Sequence, residues 1–590
     1  MHSPELPAGP DQPETADPAP PTAALEALAG ATPITRRRFV RDGTLYGATF
    51  GGLGGLGGLG ALAVGLSACG SGTVPEGTFG HGVASGDPLA DRVILWTRVT
   101  QSAAGPIDVH WEIARDALFT SLVASGVTRT SEARDYTVQV DAGGLQAGTA
   151  YHYRFGFRGE LSATGRTKTL PLGAAAAVGA VRLAVMCCAA YPVGQFHVYA
   201  DAARRGDIDV AVLLGDYLYE SDLSRGLELA SRLLGRNWEP DRELITLQDY
   251  RARHGFYRGD IDLKAMHAAM PVIAVWDDHD LINGIWRDGA SAHDPSKGSF
   301  AARRAAAMQA YLEWLPIRLP DPQSPAKIYR RFDFGELATL HMLDARALGR
   351  DAQASRADHL AGATASPTRQ MLGPEQSAWL DAGLQASTAT WQLLGSQVWM
   401  GRMHLPLSVL DDFSEDAISA YLQAQGTAPA LRSEAQRALI AQPRAPFKSD
   451  TWDGYPAARE AVFASARRLD KNLVVLAGDS HNAWASDLQD ASGVAVGVEF
   501  ATPSVTSAGL ELEYPGITRQ FLAEAFVQMV PTLRYAETSD RGYLLVTLSA
   551  AQARADWVFV GSVFGNELKS SVGRSLATRP GAAQRKIIEV

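Results

Sequence analysis

The chain has 590 residues, 46% hydrophobic and 20% charged, an ordinary globular composition with room for two or more domains that excludes a fibrous or wholly disordered protein. A formal net charge of -10 and a pI near 5.8 argue against a broad basic surface for nucleic acid. An anionic substrate would have to be met by locally placed cations, metal ions first among them.

Residues 1–34 are rich in Pro, Ala and acidic side chains and have little apolar surface to bury, which predicts a mobile tail. Thr35-Arg36-Arg37-Arg38-Phe39-Val40-Arg41 then leads into a Gly, Ala and Leu stretch that runs to Ala68. Paired arginines, an aromatic residue shortly after them and a glycine-diluted apolar run resemble a twin-arginine export signal. The alternatives are a Gly-rich linker after a basic patch and a membrane span, and Asp42 with the many glycines disfavours the span. Leu66-Ser67-Ala68-Cys69-Gly70 looks like a lipoprotein signal peptidase box, which would lipidate Cys69; cleavage at nearby small residues would leave it an incidental thiol. Residues 1–70 are therefore read as tail plus signal. The expected location is extracytoplasmic: periplasmic, secreted or lipid-anchored at the cell surface, with the twin-arginine machinery as a partner and membrane attachment through Cys69.

Residues 77–170 obey a strand grammar. Ile107, Val109, Trp111 and Ile113 alternate with Asp108, His110 and Glu112, and Tyr151, Tyr153, Phe155 and Phe157 repeat the pattern. This predicts a small antiparallel β-sandwich, and Leu145-Gln146-Ala147-Gly148-Thr149-Ala150-Tyr151 resembles the turn before a late strand of fibronectin type III-like domains. Leu172 to Ala180 is low in complexity and reads as a linker.

From Val181 the pattern changes to apolar strands separated by helical stretches. Strands are expected over residues 181–186, 208–215, 271–276, 337–343, 391–395, 472–477 and 494–500, with a helix over 196–205 that makes the first two a parallel βαβ pair. The fold class is α/β, a layered αββα domain over 181–565, with a C-terminal tail over 566–590. Insertions over 221–264 and 402–468 would sit above the strands' carboxyl edge and shape a pocket.

The residues just past each strand's carboxyl end carry the chemistry. Cys187-Cys188 come after the first strand, Asp216-Tyr217-Leu218-Tyr219-Glu220 after the second, Asp277-Asp278-His279-Asp280 after the third and Asp344-Ala345-Arg346 after the fourth; Gln397 and Gly478-Asp479-Ser480-His481-Asn482 come after later ones. One Asp at a strand end is turn chemistry. Several on one edge, with Cys and His among them, would repel without cations, which points to a multinuclear metal site. Thiolate and phenolate suit trivalent iron, clustered carboxylates suit calcium or magnesium, and zinc also fits Asp, His and Cys. With phosphate esters as substrate, His279 is placed to protonate the leaving oxygen or grip phosphate. Three cysteines, two of them adjacent, form no ordinary disulfide framework.

Taken together, Gly82-Val83-Ala84-Ser85-Gly86-Asp87-Pro88, Leu95-Trp96-Thr97-Arg98, Leu214-Gly215-Asp216-Tyr217-Leu218-Tyr219-Glu220, Trp276-Asp277-Asp278-His279-Asp280, Trp452-Asp453-Gly454-Tyr455 and Gly478-Asp479-Ser480-His481 resemble the PhoD-type alkaline phosphatase and phosphodiesterase family of the metallophosphoesterase group. The resemblance implies an N-terminal β-sandwich and a catalytic sheet domain carrying Fe3+ and Ca2+. It implies Cys188, Asp216 and Tyr219 as iron ligands with Asp216 shared with calcium, Asp278, Asp479 and His481 as further metal ligands, and His279 in contact with phosphate. Asn283 is a candidate for metal or phosphate contact, with a turn asparagine as the alternative. Arg303, Arg304 and Arg346 could meet substrate phosphate, and His404 is a further candidate in an insertion. The expected activity is an exported alkaline phosphatase acting on phosphate monoesters or diesters through a metal-activated water. The alternatives are a phospholipase D-like phosphodiesterase and a non-catalytic, metal-stabilised surface binding protein.

Overall fold

The computed structural model describes residues 77–222 and 225–590. Residues 1–70, expected to be tail plus export signal, and with them Cys69, lie outside the described residues. The architecture is mixed α/β, built on a ten-stranded and a seven-stranded sheet.

In the ten-stranded sheet Val181–Met186, Val210–Leu213 and Val272–Ala274 run parallel at the centre. They are apolar almost without interruption because a central parallel strand is covered on both faces. The helix His197–Arg204 makes the crossover between the first two. In the seven-stranded sheet Ala338–Met342, Trp391–Ser396, Leu473–Ala477 and Ala495–Ala501 run parallel. Side chains alternate across this sheet. Leu393 and Val474 join a core shared with Val185, Val212 and Ile273 of the first sheet, whereas Leu394 and Val475 pack on Leu380, Leu384, Val462 and Phe463 of the helices Gly373–Ala386 and Pro456–Arg468. Trp557 ties the two sheets by donating to the Ala501 carbonyl at 2.9 Å.

The N-terminal strands divide between two sheets. Ile107–Ala114, Leu122–Thr130, Ala150–Phe157, Glu160–Leu161 and Gly165–Lys168 form a five-stranded sheet, with burial alternating along Ala150–Phe157 as its sequence does. Val83–Gly86, Arg92–Arg98 and Thr137–Gly143 face it through Val93, Leu95, Val109, Val138, Tyr151 and Phe155. These three strands are also one end of the ten-stranded sheet, since Val83–Gly86 pairs parallel with Val272–Ala274 at Gly86 and Val272.

Residues 566–590, expected as a tail, instead supply two further strands, Ser570–Thr578 and Ile588–Glu589, at the other end of that sheet. Ser570–Thr578 is mostly exposed at its start and shows no apolar alternation, so only its backbone pairing with Ala553–Val560 reveals it. Among the described residues no helix is long and apolar enough to cross a membrane.

Candidate metal and catalytic site

The parallel strands deliver their polar residues through tightly bent backbone. Gly215 has φ 102°, and a Cβ there would lie 2.3 Å from the Cβ of Asp277, so glycine is what lets two strand ends touch. Cys188, Asp216, Asp479 and His481 all have positive φ, at 59°, 50°, 62° and 60°. Such conformations cost about 1–3 kcal/mol for a non-glycine residue and persist only where surrounding structure enforces them. Here the enforcement is visible: Cys188 N–H donates to the Gly215 carbonyl at 3.3 Å, Ala189 N–H to the Asp216 carbonyl at 2.9 Å, and Ser507 Oγ to the Cys188 carbonyl at 2.9 Å.

Among the described residues three groups of side chains could each hold an ion, with one donor atom per residue lying within 4.8 Å of the others: Cys188 with Asp216 and His481, Asp216 with Asp278 and His279, and Asp277 with Asp278 and Asp479. His481 Nδ1 donates to the Ala508 carbonyl at 2.6 Å, which leaves Nε2 as a lone pair beside the Tyr219 hydroxyl at 3.3 Å. The Tyr219 hydroxyl also meets Ser507 Oγ at 2.6 Å. Thus Cys188, Asp216, Tyr219 and His481 converge although they come from three separate strand ends.

The electrostatics fit a cation. Burial pushes the Cys188 thiol, the Asp216 carboxyl and the Tyr219 phenol well up, and neighbouring acids add to the effect. Burial likewise lifts Asp479 to about 6 and drops His481 to about 4, which leaves its imidazole neutral. Burial would raise Asp278 too, but Arg346 and His279 hold it at about 2. Acid in excess of protein cations, with thiolate, phenolate and imidazole among the donors, is the composition a multinuclear metal site requires.

His279 stands beside this group. Burial disfavours its charged form, yet Glu220 and Asp216 outweigh that and keep the imidazolium well above the usual histidine range. Its Nδ1 meets Glu220 Oε2 at 2.8 Å, and the Asn283 N–H donates to Glu220 Oε1 at 2.7 Å. Glu220 is buried and was not singled out by sequence reasoning; its position four residues after Asp216, closing the same turn, was the available signal.

A pocket of about 230 Å³ opens over Asp216, Asp278, His279, Asn283, Asp479 and His481. Trp399, Phe447, Trp484 and Leu510 form an apolar wall, and Lys448 and Glu513, which also line it, pair at 3.0 Å. Phe447 and Lys448 come from the insertion over 402–468, as its expected place above the sheet edge implies.

The other candidates lie elsewhere. Arg303 donates to Glu243 at 2.7 Å and to the Tyr250 hydroxyl at 3.3 Å, and Arg304 to the Arg287 carbonyl at 2.7 Å; neither lines the pocket. Arg346 is fully buried against Asp277 and does not line the pocket. His404 lies 3.3 Å from Asp453, away from the pocket lining. Asp280 ties strand ends together by accepting from Asp277 N–H at 2.9 Å and Leu218 N–H at 3.2 Å.

Comparison with known proteins places this geometry in context. The family model of the PhoD-like phosphatase matches residues 183–557, and that of the PhoD-like phosphatase N-terminal domain matches residues 67–171. Alkaline phosphatase D of Bacillus subtilis (strain 168) is 34% identical over 496 residues, which is 81% of this chain and 77% of that protein. A solved structure described as the structure of PhoD superposes with a TM-score of 0.71 at 31% identity, over 89% of this chain and 94% of that one.

Proposed function

This chain belongs to the PhoD-like phosphatase family and is a phosphoester hydrolase, and from that premise we propose that it is an exported, metal-dependent alkaline phosphatase or phosphodiesterase. The observation that carries the metal dependence is the convergence of Asp216, Asp278, His279, Asp479 and His481 on one pocket, with Cys188 and Tyr219 meeting Asp216 and His481 beneath it. Cys188, Asp216, Tyr219 and His481 would hold Fe3+, with Asp216 shared with a Ca2+ that Asp278 and Asp479 also face. When bound, the cations neutralise phosphate oxygens and lower the pKa of a coordinated water.

The chain's own residues do the rest. Glu220 occupies His279 Nδ1, so the proton available to substrate is on Nε2. His279 grips phosphate or protonates the leaving oxygen from that atom. Trp399, Trp484 and Leu510 exclude water on one side and receive the organic part of the ester. Export rests on Arg36-Arg37-Arg38-Phe39 and the apolar run after it, and lipid attachment on the Leu66–Cys69 box.

The test is to purify the protein, measure bound metals and assay a chromogenic phosphomonoester beside the matching diester. Hydrolysis that chelation abolishes and added cation restores is expected, and hydrolysis indifferent to chelation would sink the metal dependence. The ratio of the two rates separates the phosphatase from the phospholipase D-like reading. His279→Ala is expected to keep the metals and lose about 10²–10⁴-fold in kcat; an unchanged rate would remove His279 from the chemistry.

A further inference from the structure

Of the three acidic groups able to hold an ion, one differs from the other two. Asp277, Asp278 and Asp479 bring their oxygens together around a side chain that is already positive, Arg346. Its Nε and Nη2 take both oxygens of Asp277, the second at 3.3 Å, in the fork geometry that makes guanidinium–carboxylate pairs strong. Nη2 also donates to Asp479 Oδ1 and lies 3.7 Å from Asp278 Oδ1, while Nη1 faces Asp450 at 3.5 Å.

Three further observations set this group apart. Asp277 and Arg346 are both inaccessible to solvent, and neither lines the pocket, whereas Asp216, Asp278, Asp479 and His481 do. The loop that carries Arg346 is pinned from below: Asp344 Oδ1 accepts from the N–H groups of Arg346 at 2.9 Å and Ala347 at 2.7 Å, and Trp276 Nε1 donates to Asp344 Oδ2 at 3.0 Å. The guanidinium is therefore placed by the fold, not by substrate. Asp278, by contrast, keeps its oxygens on backbone N–H groups of His279 and Gly284, at 3.1 and 2.8 Å, with lone pairs left over for an ion.

We propose that Arg346 is a positioning residue whose guanidinium fills the Asp277–Asp278–Asp479 triad in place of a metal ion. Asp277 is then not a metal ligand. Asp479 has one oxygen committed to Arg346 and presents only the other to the pocket, so it serves as a single-oxygen ligand in a fixed orientation. The metals are confined to the Asp216 side of the cluster, where Cys188, Asp216, Tyr219 and His481 would hold one and Asp216, Asp278 and the free oxygen of Asp479 another. This rests on the metal-dependent reading of the site and adds how many of its acidic groups bind ions.

Manganese-loaded crystals of the full chain, measured for anomalous scattering, test it directly. Peaks are expected beside Asp216 and none within coordinating distance of Asp277; a peak on Asp277 overturns the proposal. Elemental analysis gives a second reading. Asp277→Asn is expected to retain the wild-type number of ions per chain, and loss of one ion overturns the proposal. Arg346→Met is expected to take up one additional divalent ion in saturating calcium, and a folded variant with no gain overturns it. A wild-type protein that binds no metal at all would instead refute the metal-dependent reading itself, so the two failures are distinguishable.

Discussion

Two buried acid–arginine clusters in this molecule use the same chemistry to opposite ends. Asp87, just past Val83–Gly86 and at φ 40°, is fully enclosed; Arg330 reaches its two oxygens from Nε and Nη2 at 2.7 Å each, and the Arg318 N–H adds a third bond at 2.6 Å. One acid meets one base, and Asp87 has no exposure to solvent. At the carboxyl edge of the parallel strands Asp216, Asp277, Asp278 and Asp479 crowd about Arg346 and His279, and the acids outnumber the cations. A balanced buried pair holds elements together; a surplus of acid is held together by the fold and waits for a cation.

Substitutions that separate the clusters sharpen this contrast. Asp216→Ala should have the largest effect, losing bound metal and several kcal/mol of transition-state stabilisation, roughly 10³-fold or more in kcat, by metal analysis and assay. Its thermal stability without metal should not fall, since it removes an uncompensated acid. Asp87→Ala should do the reverse: about 3–5 kcal/mol of stability lost in denaturant titration because Arg330 is stranded, with the metal content of the folded fraction intact. If Asp87→Ala cost metal and not stability, the contrast would be wrong. Glu220→Gln should be milder, about 10–100-fold in activity, because it loosens His279 without removing it, and Asn283 keeps an acceptor.

The smallest effect is in pH. A carboxyl raised by burial must lose its proton to bind a cation, so binding releases protons and strengthens with pH. The proton on Asp479, at about 6, should by itself lower apparent metal affinity at pH 5 about tenfold below that at pH 8, read by isothermal titration as the difference between the wild type and Asp479→Asn. The same group makes the metal-free protein less stable as pH rises from about 4 to 6, because the unfolded acid ionises before the folded one. Added metal should cancel that slope.

Much of this was legible in the sequence, for a definite reason. A parallel strand buried on both faces must be written as an apolar run, so Val181–Met186, Val210–Leu213 and Leu473–Ala477 stand out, and the polar residues that end each run fall on one edge of a sheet. That pattern reached the stretches 187–188, 216–220, 277–280 and 478–482, and the resemblance to the PhoD-type family singled out Cys188, Asp216, Tyr219, Asp278, His279, Asp479 and His481 within them. Pairwise roles were not. Glu220 and His279 are 59 positions apart and meet only after folding, and Arg346 reads equally well as a phosphate contact until its partners are seen. The strand Ser570–Thr578 was missed because an edge pairing of backbone leaves no hydrophobic period. The join between Gly86 and Val272 was invisible because a single register contact between distant segments has no local signature.

That join has a consequence for how the protein can be divided. The stretch over 77–170 reads as a module that could be trimmed away, yet its strand Val83–Gly86 is the hydrogen-bonding partner of Val272–Ala274. Cutting the chain ahead of Val181 would lay bare one edge of the short apolar strand Val272–Ala274, and an unpaired apolar edge invites pairing with another copy. It would also unseat Asp87 from Arg330. The two sequence modules thus share one sheet, and the front of the chain acts as the selvedge that keeps the sheet behind it from fraying into its neighbours.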